Sequence, residues 1–231
     1  MGFTFKQFHI DDDRCGMKVS TDSILLGSWA RLPQQGRILD AGAGSGLLAL
    51  MCAQRTQAHI DAVELDAGAC AQARDNARRS PWSDQVRVIR QEIGEFARTQ
   101  TQSYHHVISN PPYFESGVVA PCPQRARARH GLPFNQLLDA LVTRLHPEGR
   151  VSLVIPATAL ASLQQAMAER TLHLSRLTAV KTVAHKPDKL YLLELARQAV
   201  TCEQTQLVIH HHQGVYSDEF KHLTANFYLN G

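Results

Sequence analysis

Charge is scarce in this chain. Only 19% of its 231 residues are Asp, Glu, Lys or Arg, with 24 basic against 21 acidic groups and a formal net charge of +3. So slight an excess does not define a nucleic-acid binder, because attraction for a polyanion depends on where basic groups cluster. The low charge comes with 44% hydrophobic residues, a balance that excludes a disordered chain. Cysteine is sparse too. Cys15, Cys52, Cys70, Cys122 and Cys202 are odd in number, scattered and never spaced as C-x-x-C. That distribution excludes a disulfide framework and a zinc site, so no metal is expected and a reducing cytoplasm is the expected compartment. Long apolar runs are missing as well: the longest, Leu47 to Ala53, is far short of the roughly 18 residues of a membrane span. The opening Met-Gly-Phe-Thr-Phe-Lys has no apolar h-region, so neither secretion nor membrane insertion is expected. No internal repeat or low-complexity tract is present. The length fits one domain, 1–231, read as an N-terminal extension over 1–35 and a core over 36–231.

From Gly36 onward, short β-rich runs alternate with helical ones, the pattern that a parallel sheet with covering helices writes into a sequence. Strands are predicted at Arg37–Asp40, His59–Glu64, Val86–Ile89, His106–Ser109 and Arg150–Ile155. Apolar residues at helical spacing predict helices at Leu47–Gln54, Ala67–Arg79, Phe134–Leu145 and Ala157–Arg170. Leu172–Val183 and Lys189–Ala196 read as a hairpin across the turn-prone His-Lys-Pro-Asp, adding an antiparallel C-terminal edge. A polar cluster before an apolar run predicts one more helix within Ser20–Ala30, outside the sheet. The fold class is therefore α/β, a Rossmann-like, doubly wound and mostly parallel sheet.

Three constellations carry chemistry. Leu39-Asp40-Ala41-Gly42-Ala43-Gly44-Ser45-Gly46-Leu47 runs from a strand end through alternating glycines into a helix. Glycines there let a ligand approach the main chain in the crevice beyond the strand ends, although a merely tight turn needs the same residues. The spacing is G-x-G-x-G, so the G-x-G-x-x-G phosphate fingerprint of dinucleotide enzymes is not reproduced. Glu64, at the end of the next strand and about 20 residues on, is placed to accept hydrogen bonds from two ribose hydroxyls; the plain alternative is a cap on the following helix. The third is Asn110-Pro111-Pro112-Tyr113, directly after the apolar run Val107-Ile108-Ser109. Two prolines stiffen the backbone and remove two amide donors. The Asn110 carboxamide oxygen and the Pro111 carbonyl are then two acceptors for one exocyclic amine, with the Tyr113 ring available to stack on its base.

Asp40 to Gly46 resembles the S-adenosylmethionine loop of class I methyltransferases, and Asn110-Pro111-Pro112-Tyr113 resembles the catalytic motif of their amino-methylating branch. Phe3 to Phe8, Arg14 to Asp22, Leu47 to Thr56 and the closing Ala225 to Leu229 resemble the tRNA1(Val) (adenine(37)-N6)-methyltransferase family, so the likeness spans Phe3 to Leu229. The resemblance implies S-adenosyl-L-methionine as cofactor and a tRNA anticodon loop as partner. It implies that Gly42, Gly44 and Gly46 contact the methionine part of the cofactor, Glu64 its ribose, and Asp40 its amino group, directly or through water. Glu92 and Ile93 would hold the adenine ring, with Glu92 standing where the usual pattern has Asp. Thr21 and Asp22 would cover the methionine end, and Asn110 would border cofactor and substrate alike. Tyr113 and Phe114 would stack on the target base. No substrate role follows for Lys181 to Lys189.

Arg125-Ala-Arg127-Ala-Arg129-His130 holds three arginines and no acid just after the tetrapeptide. Alternation would aim Arg125, Arg127 and Arg129 to one side, where they can track phosphates, unless the loop is only a solvated surface. His210, His211 and His212 are consecutive and would face alternate sides of a strand, which reads as surface and not as a metal site. Trp29 and Trp82, near helix ends, read as packing residues. The same tetrapeptide chemistry also suits a guanine N2 of ribosomal RNA or a protein glutamine amide, and the basic loop favours RNA over protein. A nicotinamide oxidoreductase fits neither the glycine spacing nor Asn110, and a catalytically silent RNA-binding subunit leaves the intact tetrapeptide without a purpose.

Overall fold

A computed structural model describes residues 2–111, 134–212 and 214–229. The chain opens with a small antiparallel hairpin, β1 (Gly2–Thr4) and β2 (His9–Asp11), followed by α1 (Thr21–Trp29). Then come β3 (Arg37–Ala41), α2 (Leu47–Ala53), β4 (His59–Glu64), α3 (Ala67–Arg79), β5 (Val86–Arg90), α4 (Ile93–Thr99) and β6 (Tyr104–Ser109). The second half holds α5 (Phe134–Thr143), β7 (Leu145–Pro156), a 3-10 turn (Ala157–Ala159) leading into α6 (Leu160–Ala168), β8 (His173–Val183), β9 (Asp188–Ala196), β10 (Glu203–His212), β11 (Val215–Tyr216) and α7 (Asp218–Thr224).

Among the described residues, all strands but β1 and β2 form one sheet of nine in the order β11-β10-β8-β9-β7-β6-β3-β4-β5. From β5 to β7 every neighbouring pair is parallel; β9 then runs antiparallel to both β7 and β8, and β10 lies parallel to β8. The order reverses between β3 and β6, because the chain leaves β3 toward β4 and β5 and returns on the other side. Open α/β sheets bind ligands in the crevice at such a switch point.

Parallel strands covered on both faces must be apolar on both, and alternate residues of one strand enter opposite core layers. Ile38, Ile108, Val154 and Leu192 face the layer under α1 and α2, while Leu39, Val107, Leu153 and Leu193 face the layer under α4, α5 and α6. At about 25 cal/mol per Å² of apolar surface removed from water, such side chains contribute roughly 1.5–3 kcal/mol each. Buried Asp61 is held by Arg37 (3.0 Å), Arg87 (2.7 Å) and the Tyr104 hydroxyl (2.6 Å). Burial alone would raise its pKa, but the Arg87, Tyr104 and Arg37 hydrogen bonds outweigh it and the net shift is downward.

The predicted hairpin forms as β8 and β9, but the sheet continues past it through β10 and the short antiparallel β11. The first four residues of β10, Glu203-Gln-Thr-Gln, are exposed and polar, so this outer strand carries no apolar alternation to reveal it. α4 and α7 also escape a reading by periodicity. Each spans only 7 residues and is set by its N-cap, Glu92 or Ser217. The predicted helix over Ala157–Arg170 instead begins as the 3-10 turn. The two ends of the chain meet where Lys6 Nζ donates to the Ala225 carbonyl (2.6 Å) and the rings of Phe5 and Phe227 cross edge to face.

Candidate active site

The ends of β3, β4 and β6 bring three sequence motifs together at the switch point. Gly42 and Ala43 donate their amides to the Val63 carbonyl (2.9 and 3.0 Å), which folds the glycine loop back over the end of β4. Gly44 has φ +53 and Gly46 has φ +82, left-handed values that a β-branched residue does not adopt without strain. A Cβ at Gly42 or Gly44 would meet no atom of the described residues within 4 Å, so none of them fills the space beside the loop there. At Gly46 it would come within 3.3 Å of Ala73 Cβ, so this glycine serves the packing of loop against α3.

Asp40 and Glu64 flank that loop. Asp40 is fully buried; its Oδ2 accepts from the Ala49 amide in α2 (3.0 Å), and its Oδ1 has no partner among the described residues. Burial, opposed by the Ala49 bond and reinforced by the nearby Glu64 charge, pushes its pKa up to about 7. Glu64 Oε2 accepts from the Gly44 amide and Oε1 from the Asp66 amide, each at 2.8 Å. A carboxylate so engaged has lone pairs left for further donors. Asp66, not Glu64, is the cap of α3, accepting from Ala69 at 2.9 Å.

Asn110 stands half-buried just beyond β6, followed by buried Pro111. Ser109 Oγ donates to the Ala41 carbonyl (2.6 Å), fastening the end of β6 to the end of β3 and setting Asn110 beside the glycine loop. The Asn110 carboxamide Nδ2 donates to Ser23 Oγ at 2.8 Å, so the amide end is held by α1, and among the described residues nothing donates to Oδ1. Ser20 caps α1 by accepting from the Ser23 amide (3.3 Å), and Lys189 Nζ meets Asp22 Oδ1 at 3.3 Å. Thr21 and Asp22 thus lie in the helical turn that touches Asn110. The loop before α1 is closed on Asp12, which accepts from the Val19 amide (3.0 Å). Buried Asn76 ties β2 to the glycine loop, with Nδ2 donating to the carbonyls of Asp11 and Ser45 (2.8 Å each).

Glu92 stands at the start of α4 as its N-cap. Its two carboxylate oxygens accept from Gly94 (2.8 Å) and Glu95 (2.7 Å), capping α4, with Ile93 as that helix's first residue. Pro112, Tyr113, Phe114, Arg125, Arg127 and Arg129 lie outside the described residues. Trp29 is a packing residue, with Nε1 donating to Thr178 (2.8 Å) and the Arg176 guanidinium 3.4 Å above its ring. Trp82 packs edge to face on Phe8. His211 and His212 are exposed, and His210 stacks on Tyr216. Among the described residues no three His, Cys, Asp or Glu side chains converge as a metal site, and no helix is long and apolar enough to cross a membrane. Ser23, Ser109 and Asn76 give no signal in sequence, since a lone Ser or Asn acquires a role only from what the fold sets opposite it.

An S-adenosylmethionine fits these residues on three counts: space along Gly42 and Gly44 that no described residue fills, a buried Asp40 oxygen without a partner among the described residues, and spare lone pairs on Glu64 at the end of β4. The strand order and this crevice are those of the class I methyltransferase fold. The fold matches the structure of a predicted O-methyltransferase from Agrobacterium tumefaciens with a TM-score of 0.69 at 20% identity, over 89% of this chain and 96% of that one. The Methyltransferase small domain family matches residues 17–168. Two curated relatives, from Aeromonas hydrophila (49% identical, 99% of this chain and 97% of the relative) and Mannheimia succiniciproducens (46%, 99% and 95%), bear the name tRNA1(Val) (adenine(37)-N6)-methyltransferase. The chain belongs to that family.

Proposed function

We propose that the chain transfers a methyl group from S-adenosylmethionine to the N6 amine of adenine 37 in valine tRNA1, in the cytoplasm. The observation that carries this reading is the pinned Asn110 carboxamide, with Nδ2 on Ser23 and no donor to Oδ1 among the described residues, at the switch point beside the glycine loop. The names of the relatives support the same substrate. Gly42, Gly44 and Gly46 would hold the methionine part of the cofactor, with Asp40 toward its amino group, Glu64 toward its ribose and Thr21–Asp22 over its end. Glu92 and Ile93 would border the adenine ring through the first turn of α4. When bound, the cofactor supplies an electrophilic methyl group on its sulfonium.

An adenine amine is a weak nucleophile because its lone pair is delocalised into the ring. Asn110 Oδ1 and the Pro111 carbonyl, each accepting one of its protons, would favour a pyramidal nitrogen and fix the direction of its lone pair. Catalysis then rests on orientation and on acceptors held in place beforehand. Tyr113, with Phe114, would replace the stacking that the base loses on leaving the RNA, and Arg125, Arg127 and Arg129 would follow the phosphates. An anticodon loop offers bases that are already unpaired. The test is methylation of a valine tRNA1 transcript beside one with guanine in place of adenine 37. Transfer to the first alone is expected; equal transfer to both would sink the assignment.

A further inference from the structure

We propose that the β8–β9 hairpin, from Lys181 through His185 and Lys186 to Lys189, is a docking surface for the phosphate backbone of the RNA substrate. This rests on the tRNA reading above and adds to it a surface far along the chain from the arginine-rich stretch.

Position comes first. β8 runs in the direction of β7, and β9 returns with Leu190 opposite both Pro156 and Val180, so the turn between them stands at the sheet end that carries the glycine loop, Glu64 and Asn110. Lys189 at the root of the turn touches Asp22, and the next residue, Ser23, touches Asn110. Two side-chain contacts therefore connect the hairpin to the acceptor of the reaction. A base seated at Asn110 would leave its flanking phosphates outside the crevice, at the sheet end where this turn stands.

Charge and stiffness come next. His185, Lys186 and Lys189 are exposed. The hairpin's own acid, Asp188, is already shared between Lys181 (3.9 Å) and the Tyr191 hydroxyl (2.9 Å), and Asp22 is engaged by Lys189. Lys186 pairs with no carboxylate among the described residues. A lysine ammonium is a compact charge on a long stem, suited to phosphates approaching from several directions. Strand pairing on either side, the Lys186 amide bonded to the Val183 carbonyl (3.0 Å), and the fixed φ of Pro187 hold the turn in one shape. Little ordering entropy remains to be lost when RNA arrives.

The experiment is a filter-binding salt titration of an unmodified valine tRNA1 transcript against the wild type, Lys186→Ala, Lys186→Glu and Lys186→Arg, with methyl transfer measured on the same proteins. Lys186→Ala should weaken binding about 3–10-fold near 0.1 M salt and flatten the slope of log K against log salt by about 0.7–0.9. Lys186→Glu should weaken it further and Lys186→Arg should restore it, while kcat at saturating tRNA and cofactor affinity stay within about two-fold. Superimposed salt lines for the wild type and Lys186→Glu, with adenine methylation intact, would overturn the hairpin proposal and leave the tRNA reading standing. A changed slope from a wild type that methylates no adenine would instead defeat that reading.

Discussion

β3, β4 and β6 end at one edge of the sheet in Ala41, Glu64 and Ser109; β7, β8 and β10 end at the same edge in Pro156, Val183 and His212. In the first group each strand end is bound to its neighbour's loop: Ser109 to Ala41, Glu64 to Gly44, Gly42 to Val63. In the second group, together with β9 between β7 and β8, the side chains reach outward to α1: Lys189 of β9 to Asp22, Arg176 of β8 to the Trp29 carbonyl (2.7 Å), and Thr178 of β8 accepting from the Trp29 indole. One half of the sheet shapes the crevice, and the other holds in place the helix that pins Asn110. A site of this kind needs both, but only the first half is expected to touch the reacting groups.

Substitutions in the two halves should therefore fail differently. Asn110→Ala should slow methyl transfer by about 1,000-fold or more while cofactor affinity stays within a few-fold, because its acceptor acts mainly in the transition state. Parallel losses of rate and cofactor binding would merge the two roles. Leu192, fully buried on β9, should behave in the opposite way. Leu192→Ala should cost about 3 kcal/mol in urea unfolding and leave the kinetic constants of the folded fraction close to wild type. A lost rate without lost stability would place β9 in the chemistry.

Gly44→Val should lower cofactor affinity about 100-fold by calorimetry, since the side chain would fill the space beside the loop and strain a left-handed residue. Unchanged affinity would remove the loop from the cofactor site. The effect spread most thinly, over several pH units, concerns Asp40. With its pKa raised to about 7, the folded protein keeps a proton that the unfolded chain releases near pH 4. Stability contributed at this position is therefore lost as pH rises between those values. Asp40→Asn should flatten the pH dependence of unfolding over that window by up to about 1.4 kcal/mol per pH unit. Identical profiles for the two proteins would mean that Asp40 is ionised in its buried setting.

How much of this could be read beforehand follows the same division. β4 and α3 are predicted to the residue, His59–Glu64 and Ala67–Arg79, because continuous apolar runs and helical spacing express burial directly. The glycine loop and Asn110 are legible because backbone conformation restricts which residues can stand there. β10 is not, since its outer half packs against water, and neither is α4, whose start depends on Glu92 bending back to its own helix. Within the site, Asn110 could be named from its neighbours in sequence. Ser23, 87 residues away, could not, because only the packing of α1 on the sheet brings it within 2.8 Å.

The most direct measurement of what this crevice does is the reaction itself: incubation with labelled S-adenosylmethionine and total tRNA free of the modification, followed by digestion to nucleosides. The account predicts label in N6-methyladenosine from the wild type and close to none from Asn110→Ala at equal cofactor occupancy. Label in a methylated guanosine, or full N6-methyladenosine from the Asn110 variant, would contradict it.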